Sequence, residues 1–499
     1  MKVVTAGTAA FYLYTEAPVS AETSQHLRAL QLALDEARPT GVRDVALGYQ
    51  SILIEHDPAV SQARLQQWAE AVAASGLEPA PPTHHDLSVQ YGLEADREAL
   101  EAKLDLSWNE IVRLHQEPTY TVAFIGFTPG FPYLLGLPEA LHLPRRDTPR
   151  QQMAAGSVAI AGAQAGIYPV SSAGGWWSLG RTDAVLYTPG ATPPTLLAPG
   201  DTVKFQPVDE LTPVATKVKE RDEGQPVVKL IQSWQRSVSV QSAPHWGDGH
   251  YGVATGGALD PLAFSLANNI VGNQEGAPAL ELIANPVTLK LCGATSLCLT
   301  GGGLRLFVNG QEVRRWCRFE GEAGDVLELL PDGELTGYTS YLALKGGLRS
   351  AKTGTHYLQT GDVLLSADAQ TTQPRPYPGT PRYPQRVQVR IYRGPQFDKE
   401  AFEKLLGSSY RIDTLDRMGV RLKGPHLDLP EHDVLSEGSP WGAVQVPADG
   451  QPIILLNDRG RTGGYAKPAV CDVADLWQLA QAKPGTEVWF VEGEGQSKI

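Results

Sequence analysis

The chain has 499 residues, enough for about three domains of the usual ~150 residues each. Its 51 glycines and 38 prolines favour many turns between short strands, which excludes long helical bundles and coiled coils as the main architecture. The formal net charge of −13 repels phosphodiester backbones and anionic membranes, so nucleic acid and membranes are excluded as expected partners.

Two further features of the sequence concern the cellular compartment. The four cysteines show no C-x-x-C spacing and are too few for a disulfide scaffold of this size, so reduced thiols are expected. The N-terminus lacks the apolar segment and the cleavage site of a signal peptide, and no stretch approaches about 18 uninterrupted apolar residues. The sequence therefore predicts a soluble, cytoplasmic protein.

The segment 1–78 has the pattern of a small α+β module. Two apolar strand regions alternate with two helices, and Ser20 can cap the first of these helices. Each helix repeats apolar residues on one face, namely Leu27, Leu30 and Leu34 in the first and Leu65, Trp68 and Val72 in the second. Farther along, Ser107 and Glu110 predict a capping box that starts a short helix ending near His115.

From about Tyr120 the chain consists of short apolar runs separated by Gly and Pro, which predicts a mainly β architecture. Asn309-Gly310 and Asp332-Gly333 each stand between two such runs, and both dipeptides favour the positive φ angles of two-residue hairpin turns. We expect a hairpin at each. A weak repeat, PGDTVKF, AGDVLEL, TGDVLLS and PGTEVWF, feeds a glycine turn into an alternating strand, and we expect each copy to close a β module.

Two linkers divide the β-rich region. The segment 208–226 is rich in charge, and the segment 373–386 contains five prolines, which predict an extended, unpaired backbone. The sequence therefore predicts four folded units, at 1–78, 79–207, 227–372 and 387–499.

Three common catalytic signatures are absent from the sequence. It has no P-loop (G-x-x-x-x-G-K-[ST]), no H-E-x-x-H zinc motif and no G-x-S-x-G nucleophile elbow, and no metal site is expected. Gly247, Gly249 and Gly252 match G-x-G-x-x-G, but the next helix begins only at Asp260, with Pro261 at its first position. Because a phosphate-binding loop must lead directly into its helix, we interpret this match as a turn.

The segment 124–182 is the densest in residues suited to binding. Three arginines there each stand near a proline that stiffens the backbone, and rigid guanidinium groups suit carboxylate or phosphate ligands: Arg145, Arg146 and Arg150. Gly174-Gly175-Trp176 offers open backbone N–H groups and an aromatic wall, and Arg181 adds another cation. The alternatives are solvated loop arginines and a tight turn with a core tryptophan. His115, just before this segment, is a candidate general base, or interacts only with the dipole of its helix.

A second concentration of polar side chains and flexible backbone lies in 415–465. Much of it follows directly after the apolar strand 453–456, and loops that leave a strand commonly carry the sites of β scaffolds. A salt-bridged turn of Asp458 with Arg459 is the alternative interpretation. The residues concerned are Gln445, Asp458, Arg459, Thr462, Gly463, Gly464 and Tyr465.

Both segments carry motifs that resemble a known pair of families. Within 1–207, GFTPGFPYLLGLP, PRRDTPR, AGSVAIAGAQAGIYP and GGWWSLGRT resemble the B subunit of 5-oxoprolinase, whose family is also described as Kip-type kinase inhibitors and as allophanate hydrolase subunit 1-like domains. From 227 onward, GVATGGALDPLAFSLANNIVGN, RIYRGPQFD, DRMGVRLKG and GAVQVPADGQPIILLNDRGRTGGY resemble the partner family, the C subunit of the same enzyme, which is allophanate hydrolase subunit 2-like. The chain resembles a natural fusion of the two, and related domains form the carboxyltransferase part of urea amidolyases.

The resemblance implies a fold and an activity. The fold is mainly β, with the α+β N-terminal module followed by cyclophilin-like β-barrel domains in tandem, one in the first half and two in the second. The activity is the ATP-dependent opening of 5-oxo-L-proline to L-glutamate, with ATP and Mg²⁺ as co-substrate. Its partner is a LamB/YcsF-type protein, similar to the A subunit of 5-oxoprolinase, and a homo-oligomer is compatible with it. Phosphorylation of the lactam oxygen would make ring opening of this poor electrophile feasible.

Two alternative functions follow from the same resemblance. One is a regulatory protein that binds a sensor histidine kinase. The other is an allophanate or urea amidolyase-like component of carboxyl transfer, whose biotin carrier another protein would have to supply, since the chain has no A-M-K-M-like site.

The predicted site combines residues of both halves. Those predicted as catalytic are His115, Arg145, Arg181 and Asp458. Those predicted to bind substrate or ATP are Arg146, Arg150, Gln164, Tyr168, Gly174, Gly175, Trp176, Thr182, Arg417, Gln445, Arg459, Thr462, Gly463, Gly464 and Tyr465. The segment 241–247 departs from the Q-D-x-G-R-x-G turn usual in the C-subunit family.

Overall fold

Seven sheets and their helices make up the part of the chain that the computed structural model describes, which is residues 1–494 except 80, 147, 149, 213–223, 332, 334–336, 351–356 and 380. Most of the predicted linker 208–226, including its charge-rich part, lies outside the described residues, as does Asp332 of one predicted turn. Among the described residues, no helix is long and apolar enough to cross a membrane.

The N-terminal module is an antiparallel four-stranded sheet with two helices. Its strands β1 to β4 are Lys2–Thr5, Ala10–Tyr14, Val42–Leu47 and Ser51–His56, in the order β1-β2-β4-β3. The helices are α1 (Ala21–Glu36) and α2 (Gln62–Ala73). The predicted cap is confirmed, because the Ser20 side chain accepts a hydrogen bond from the Thr23 backbone N–H at 3.1 Å.

Both faces of this sheet are buried. Phe11 and Leu13 point to a core shared with the leucines of α1 and with aromatic residues of the first barrel described below. Tyr12 and Leu53, on the opposite face, pack against Val470 of the last barrel. The sheet therefore lies between the two barrels and contacts both of them.

The first barrel is closed by seven strands. Strands β5 to β13 are His84–Tyr91, Tyr120–Gly126, Phe131–Leu135, Arg150–Met153, Ser157–Ala161, Gln164–Ile167, Ser172–Gly174, Trp177–Arg181 and Thr202–Pro207. The barrel order is β10-β7-β6-β13-β5-β12-β9, and β8 pairs with β11 in a separate two-stranded sheet. Helices α3 (Arg97–Leu104) and α4 (Trp108–Gln116) follow β5, and the predicted capping box of Ser107 and Glu110 begins α4.

The middle of the chain forms two open sheets with a shared leucine- and valine-rich core. Strands β14 to β25 are Pro226–Gln232, Val238–Gln241, Ala279–Ile283, Val287–Leu291, Thr295–Gly301, Leu304–Val308, Gln311–Val313, Phe319–Gly321, Val326–Pro331, Thr339–Leu344, Leu348–Ser350 and Val363–Ser366. One sheet has the order β20-β19-β22-β17-β14-β25-β24 and the other β15-β16-β23-β18-β21. Helix α5 (Pro261–Val271) packs on the outer face of the five-stranded sheet, and Asp260 caps it.

The last barrel repeats the architecture of the first. Strands β26 to β34 are Arg386–Arg393, Ser409–Leu415, Gly419–Lys423, Asp433–Gly438, Ala443–Gln445, Ile453–Leu455, Thr462–Tyr465, Ala469–Cys471 and Glu487–Glu492, with helices α6 (Lys399–Gly407) and α7 (Leu476–Ala480). The closed order is β26-β33-β30-β31-β28-β27-β34, and β29 and β32 form a separate two-stranded sheet. In both barrels the first and last strands are parallel neighbours, and the last strand carries a copy of the predicted repeat, PGDTVKF or PGTEVWF.

These observations confirm the mainly β fold with barrels in tandem and correct two details. The resemblance implied a barrel in 227–372, but the described strands there form two open sheets, with no pairing between the strands of one sheet and those of the other. The expected hairpin at Asp332-Gly333 is also wrong. Strand β22 pairs with β17 and β19, whereas β23 pairs with β16 and β18, so the chain passes from one sheet to the other there.

The other predicted hairpin is confirmed. Asn309 and Gly310 have φ angles of 50° and 79° and join β19 to β20, with Val308 opposite Gln311. The glycine-rich match at 247–252 is a turn with one short 3₁₀ helix, as interpreted from the sequence. Each sheet lies inside one of the four predicted units to within one residue, and we propose those units as the domains.

A buried ion-pair cluster joins the N-terminal module to the last barrel. Asp44 of β3 and Glu55 of β4 face Arg459 and Arg461, and all four side chains are at most 4% exposed. Arg459 Nη2 donates to Glu55 Oε1 at 2.6 Å, and Arg461 Nη2 lies 2.7 Å from Glu55 Oε2 and 3.0 Å from Asp44 Oδ2. Two anions meet two cations, so the cluster is neutral although it is buried.

The double-sheet region is joined to the last barrel in a similar way. Arg417 Nε and Nη2 donate to both oxygens of Asp458 at 2.7 and 2.9 Å, and Nη1 donates to Glu281 of β16. Gln481 donates to Asp260 at 2.8 Å and accepts from the Tyr338 backbone N–H at 3.0 Å. The last barrel is thus held by buried polar contacts from two other parts of the chain.

We expect Arg461→Met to lower the free energy of unfolding by about 3–5 kcal/mol, because Asp44 and Glu55 would keep buried charges without a full set of partners. Urea denaturation followed by tryptophan fluorescence measures this. The control is Arg113→Met, which removes an exposed pair with Glu117 and should cost less than about 1 kcal/mol. Equal losses for the two variants would contradict the role assigned to the cluster.

Candidate functional site

A cavity of about 370 Å³ lies between the first and the last barrel. This volume falls within the range of roughly 300–1,000 Å³ that small-molecule sites occupy. Both barrels contribute side chains to it. So do the two two-stranded sheets outside the barrels, one formed by β8 and β11 and the other by β29 and β32. The cavity is therefore a composite of the two halves of the chain.

The two two-stranded sheets bring similar sequences to the cavity. Gly174-Gly175-Trp176 begins at the last residue of β11 in the first half, and Gly463-Gly464-Tyr465 forms the end of β32 in the second. Each supplies two glycines, which leave the backbone uncovered, followed by an aromatic ring. The walls thus combine bare backbone with aromatic surface, which suits a small, flat ligand.

The barrels touch directly beside the cavity. The Phe127 backbone N–H donates to Thr462 Oγ1 at 2.8 Å. Gly126 permits this approach, since a Cβ at that position would lie only 2.2 Å from the same oxygen. Thr462 begins β32, so this contact sets the position of the sheet of β29 and β32 relative to the first barrel.

Arg145 differs from the other arginines predicted at the site. Its guanidinium lies 5.7 Å from the centre of the Tyr465 ring, across the boundary between the two halves. Among the described residues, no carboxylate lies within ion-pair distance of it. A partly buried cation without such a partner is free to bind an anionic ligand.

The neighbouring arginines are held by carboxylates. Arg146 and Arg150 both contact Asp96 Oδ1, and the Arg146 Nη1 distance is 2.7 Å. Arg459 is paired with Glu55, as described above, and burial lowers its pKa to about 10, so its guanidinium still carries a proton at neutral pH. These arginines shape the cavity wall, and their charges are balanced.

Two phenols at the cavity stay neutral. Burial raises the pKa of Tyr133 and of Tyr168, and in both cases Arg145 acts in the opposite direction without cancelling the effect of burial. Their hydroxyls therefore keep their protons at neutral pH. A cavity with neutral phenols does not repel an anionic ligand held by Arg145.

The structure places most of the predicted site residues together. Those that line the cavity are Arg145, Arg146, Tyr168, Gly174, Gly175, Trp176, Gln445, Arg459, Thr462, Gly463, Gly464 and Tyr465. Those that do not line it are His115, Arg150, Gln164, Arg181, Thr182, Arg417 and Asp458. Arg181 instead contacts Glu94 at 3.4 Å and the Ala155 carbonyl at 2.9 Å, on the surface of the first barrel.

Burial or ion pairing argues against the roles predicted for three residues outside the cavity. His115 is fully buried in the core of the first barrel, with its ring stacked on Phe205 and Nδ1 at 2.8 Å from the Tyr91 hydroxyl. Arg417 and Asp458 satisfy each other, and Arg417 is 1% exposed. The salt-bridged turn of Asp458 with Arg459 is wrong, because Asp458 pairs with Arg417 and Arg459 pairs with Glu55.

The sequence did not single out several residues that the structure places at the site. Tyr133 and Phe131 lie within the motif GFPYLLGLP, and Asp416 and Met418 within LDRMGVRLKG, yet neither motif marked them individually. For the buried cluster a signal did exist. Asp44 and Glu55 are charges within apolar strands, VRDVAL and SILIEH, which indicates a buried partner.

The described residues include no group of three or more His, Cys, Asp or Glu side chains that could hold a metal ion. Asp416 is a carboxylate at the cavity, and its Oδ1 accepts from the Met418 and Gly419 backbone N–H groups at 2.8 and 3.0 Å.

Comparisons with known proteins cover nearly the whole chain. The family model "Carboxyltransferase domain, subdomain C and D" matches residues 1–197, and "Carboxyltransferase domain, subdomain A and B" matches residues 251–492. A crystal structure of the protein TTHA0988 superposes with a TM-score of 0.83 at 36% identity, covering 97% of this chain and 99% of that one.

Three named relatives each match part of the chain. The B subunit of 5-oxoprolinase from Haemophilus influenzae is 42% identical over 197 residues, which is 38% of this chain and 89% of the relative. The C subunit of 5-oxoprolinase from the same organism is 31% identical over 276 residues, 50% of this chain and 87% of the relative. Urea amidolyase of Lachancea kluyveri is 28% identical over 325 residues, 56% of this chain but 18% of the relative.

The buried position of His115 predicts a pH dependence of stability. Burial lowers its pKa to about 3 from about 6.5 in the unfolded chain. Below pH 6.5 the unfolded state therefore binds more protons than the folded state, and stability falls as the pH drops towards 3. In His115→Gln this contribution is absent. We expect the wild-type advantage in unfolding free energy to shrink by about 1.4 kcal/mol per pH unit between pH 6.5 and 4.

Chemical denaturation of both proteins at several pH values in this range measures the difference, and the pH dependence that they share cancels. A difference that stays constant with pH would mean that His115 exchanges protons freely in the folded protein, as a solvent-accessible general base would.

Proposed function

Since the chain belongs to the family of the 5-oxoprolinase B and C subunits, with both of them in one polypeptide, we propose that it is a component of an ATP-dependent 5-oxoprolinase. It binds 5-oxo-L-proline in the cavity between the two barrels. With a LamB/YcsF-type partner, equivalent to the A subunit of that enzyme, it opens the lactam to L-glutamate.

The observation that carries this proposal is the state of Arg145. 5-oxo-L-proline combines a flat five-membered lactam with one carboxylate. Arg145 supplies a cation that has no carboxylate partner among the described residues, next to the aromatic ring of Tyr465. A charge-assisted, two-pronged contact with the ligand carboxylate would orient the ring against the glycine backbone of β32.

The overall reaction adds water across the amide bond. The C–N bond of the lactam breaks, the carbonyl carbon becomes the second carboxylate of glutamate, and the nitrogen becomes its amine. ATP, when bound, supplies the phosphoryl group that activates the carbonyl oxygen and leaves as phosphate and ADP. Within the chain, the neutral Tyr133 and Tyr168 hydroxyls can donate hydrogen bonds towards developing negative charge.

The cavity also has room and charge for phosphate groups beside the lactam. Its volume of about 370 Å³ exceeds the need of a five-membered ring with one carboxylate. Arg421 is an exposed cation at the cavity with no ion pair to the described residues, and Asp416 is a carboxylate on the same side. Because Mg²⁺ in phosphoryl-transfer sites is held largely by phosphates, waters and one or two carboxylates, these residues fit Mg·ATP as co-substrate.

Carboxyl transfer on urea or allophanate is the second candidate. It is favoured by the two carboxyltransferase family models and by the likeness to urea amidolyase. Urea has no carboxylate for Arg145 to bind, whereas 5-oxoproline and allophanate each have one. A dependence on Arg145 therefore separates 5-oxoproline from urea as the substrate, but not from allophanate.

We expect the purified chain together with a LamB/YcsF-type protein from the same source to form glutamate and ADP from 5-oxo-L-proline and ATP. Neither protein alone should do so, because the proposed enzyme needs both. Glutamate and ADP are measured in coupled assays, and a parallel reaction replaces the lactam with urea and bicarbonate and adds a biotinylated carrier protein with its carboxylase. ATP hydrolysis that depends on urea and not on the lactam would favour the second candidate.

In the same assay Arg145→Ala should raise the KM for 5-oxo-L-proline about 10- to 100-fold, the equivalent of one lost charged hydrogen-bonding contact. Arg145→Lys should recover part of the loss, since it keeps the charge but not the two-pronged geometry. Arg113→Ala, on an exposed helix surface, is the control. An unchanged KM in Arg145→Ala would remove the basis for placing the carboxylate there.

A further inference from the structure

One buried side chain at the cavity has no side-chain hydrogen bond to any described residue. Gln445 ends β30 and is 7% exposed, and it lines the cavity. Its carboxamide forms no side-chain hydrogen bond with the described residues, although its Nε2 has two donors and its Oε1 is an acceptor. Buried polar groups are nearly always paired, so this carboxamide is suited to a partner that the cavity receives.

The carboxamide has a defined position over the backbone of β32. A Cβ on Gly463 would lie 2.7 Å from Gln445 Nε2 and 3.2 Å from Ser439 Oγ, so both polar groups face the Cα of that glycine. Ser439 Oγ is itself buried without a hydrogen-bonding partner among the described residues. Two unpaired polar side chains thus meet at one glycine.

Arg145 stands beside the next residue. A Cβ on Gly464 would lie 3.0 Å from Arg145 Nη2. The Gln445 carboxamide and the Arg145 guanidinium therefore face two successive glycines of the same strand. Successive residues of a strand point to opposite faces, so the two groups approach β32 from different sides, but both line the cavity, and a ligand bound there can contact both.

Lactams have an amide geometry that a single carboxamide can recognise. A five-membered ring holds the amide bond cis, so that its N–H and C=O point to the same edge. In an ordinary trans amide the two groups point to opposite edges. A carboxamide presents one donor and one acceptor side by side, so it can form two parallel hydrogen bonds with the cis edge and only one with a trans amide.

We propose that Gln445 is a specificity-determining residue that binds the cis-amide edge of the lactam, an inference that rests on the proposed function. Gln445 Nε2 donates to the lactam oxygen, and Oε1 accepts from the lactam N–H. The carboxylate of 5-oxoproline is carried by the carbon next to that nitrogen, and Arg145, which lines the same cavity, is its proposed partner.

The choice of glutamine over a carboxylate follows from the same arrangement. A glutamate at this position could accept from the lactam N–H but could not donate to the carbonyl when ionised. It would also place a negative charge close to the ligand carboxylate, and like charges at short range repel. An amide is neutral and offers both hydrogen-bonding groups.

Binding to the full-length chain by titration calorimetry tests this without ATP or turnover. The probes are 5-oxo-L-proline, with a cis amide and a carboxylate, and N-acetyl-L-alanine, with a trans amide and a carboxylate. The wild-type chain should prefer the lactam. In Gln445→Leu the affinity for 5-oxo-L-proline should fall about 10- to 100-fold, as expected for two neutral hydrogen bonds, and the preference over N-acetyl-L-alanine should nearly vanish.

Two further variants separate recognition from folding. Gln445→Asn keeps the carboxamide but withdraws it by one methylene, so it should lose most of the lactam preference with little change in packing. Gln445→Glu should bind the lactam more weakly than Gln445→Leu. The matched control is Gln388→Leu on the exposed face of β26 in the same barrel, which should bind both probes like the wild type.

The outcomes distinguish the two proposals. If the wild-type chain binds 5-oxo-L-proline and Gln445→Leu and Gln445→Asn retain both affinity and preference, the assignment of Gln445 is overturned while the proposed function stands. If the wild-type chain binds no lactam at all, the proposed function is overturned, and the role of Gln445 falls with it.

Discussion

The architecture depends on a neutral cluster of four buried charges that joins the beginning of the chain to its last barrel. Asp44 and Glu55 come from the N-terminal sheet, and Arg459 and Arg461 come from the loop that leads into β32. Because a buried charge is costly without its partners, neither segment can move away from the other without a large penalty. The loop immediately precedes Gly463, so the cluster that joins the two ends of the chain also fixes one wall of the cavity.

The N-terminal sheet gives this constraint its wider effect. It is buried on both faces, with the first barrel on one side and the last barrel on the other. The two barrels have the same strand order and the same parallel pairing of first and last strands. Beside each barrel lies a two-stranded sheet that leads into two glycines and an aromatic residue. The cavity forms where the two halves meet, and neither half supplies all of its walls. A single polypeptide therefore keeps both halves of the site at a high effective concentration.

The sequence predicted those parts of the fold and site that arise from local chemistry. Caps at Ser20 and Ser107, the Asn309-Gly310 turn and the two glycine-rich segments depend on neighbouring residues, and the structure contains them. Roles that depend on distant partners were not accessible. Arg145 and Arg459 have similar local surroundings in sequence, yet a glutamate about 400 residues away neutralises only Arg459. The burial of His115 was inaccessible for the same reason, since Phe205, on a strand distant in sequence, stacks on its ring.

The cavity between the barrels is the proposed substrate site. A crystal structure of the full-length chain soaked with 5-oxo-L-proline tests this placement. Density for the lactam is expected in the cavity, with its carboxylate on Arg145 and its amide edge towards Gln445. Density at another position, such as the surface near Arg181 and Glu94, with the cavity free of ligand, would contradict it.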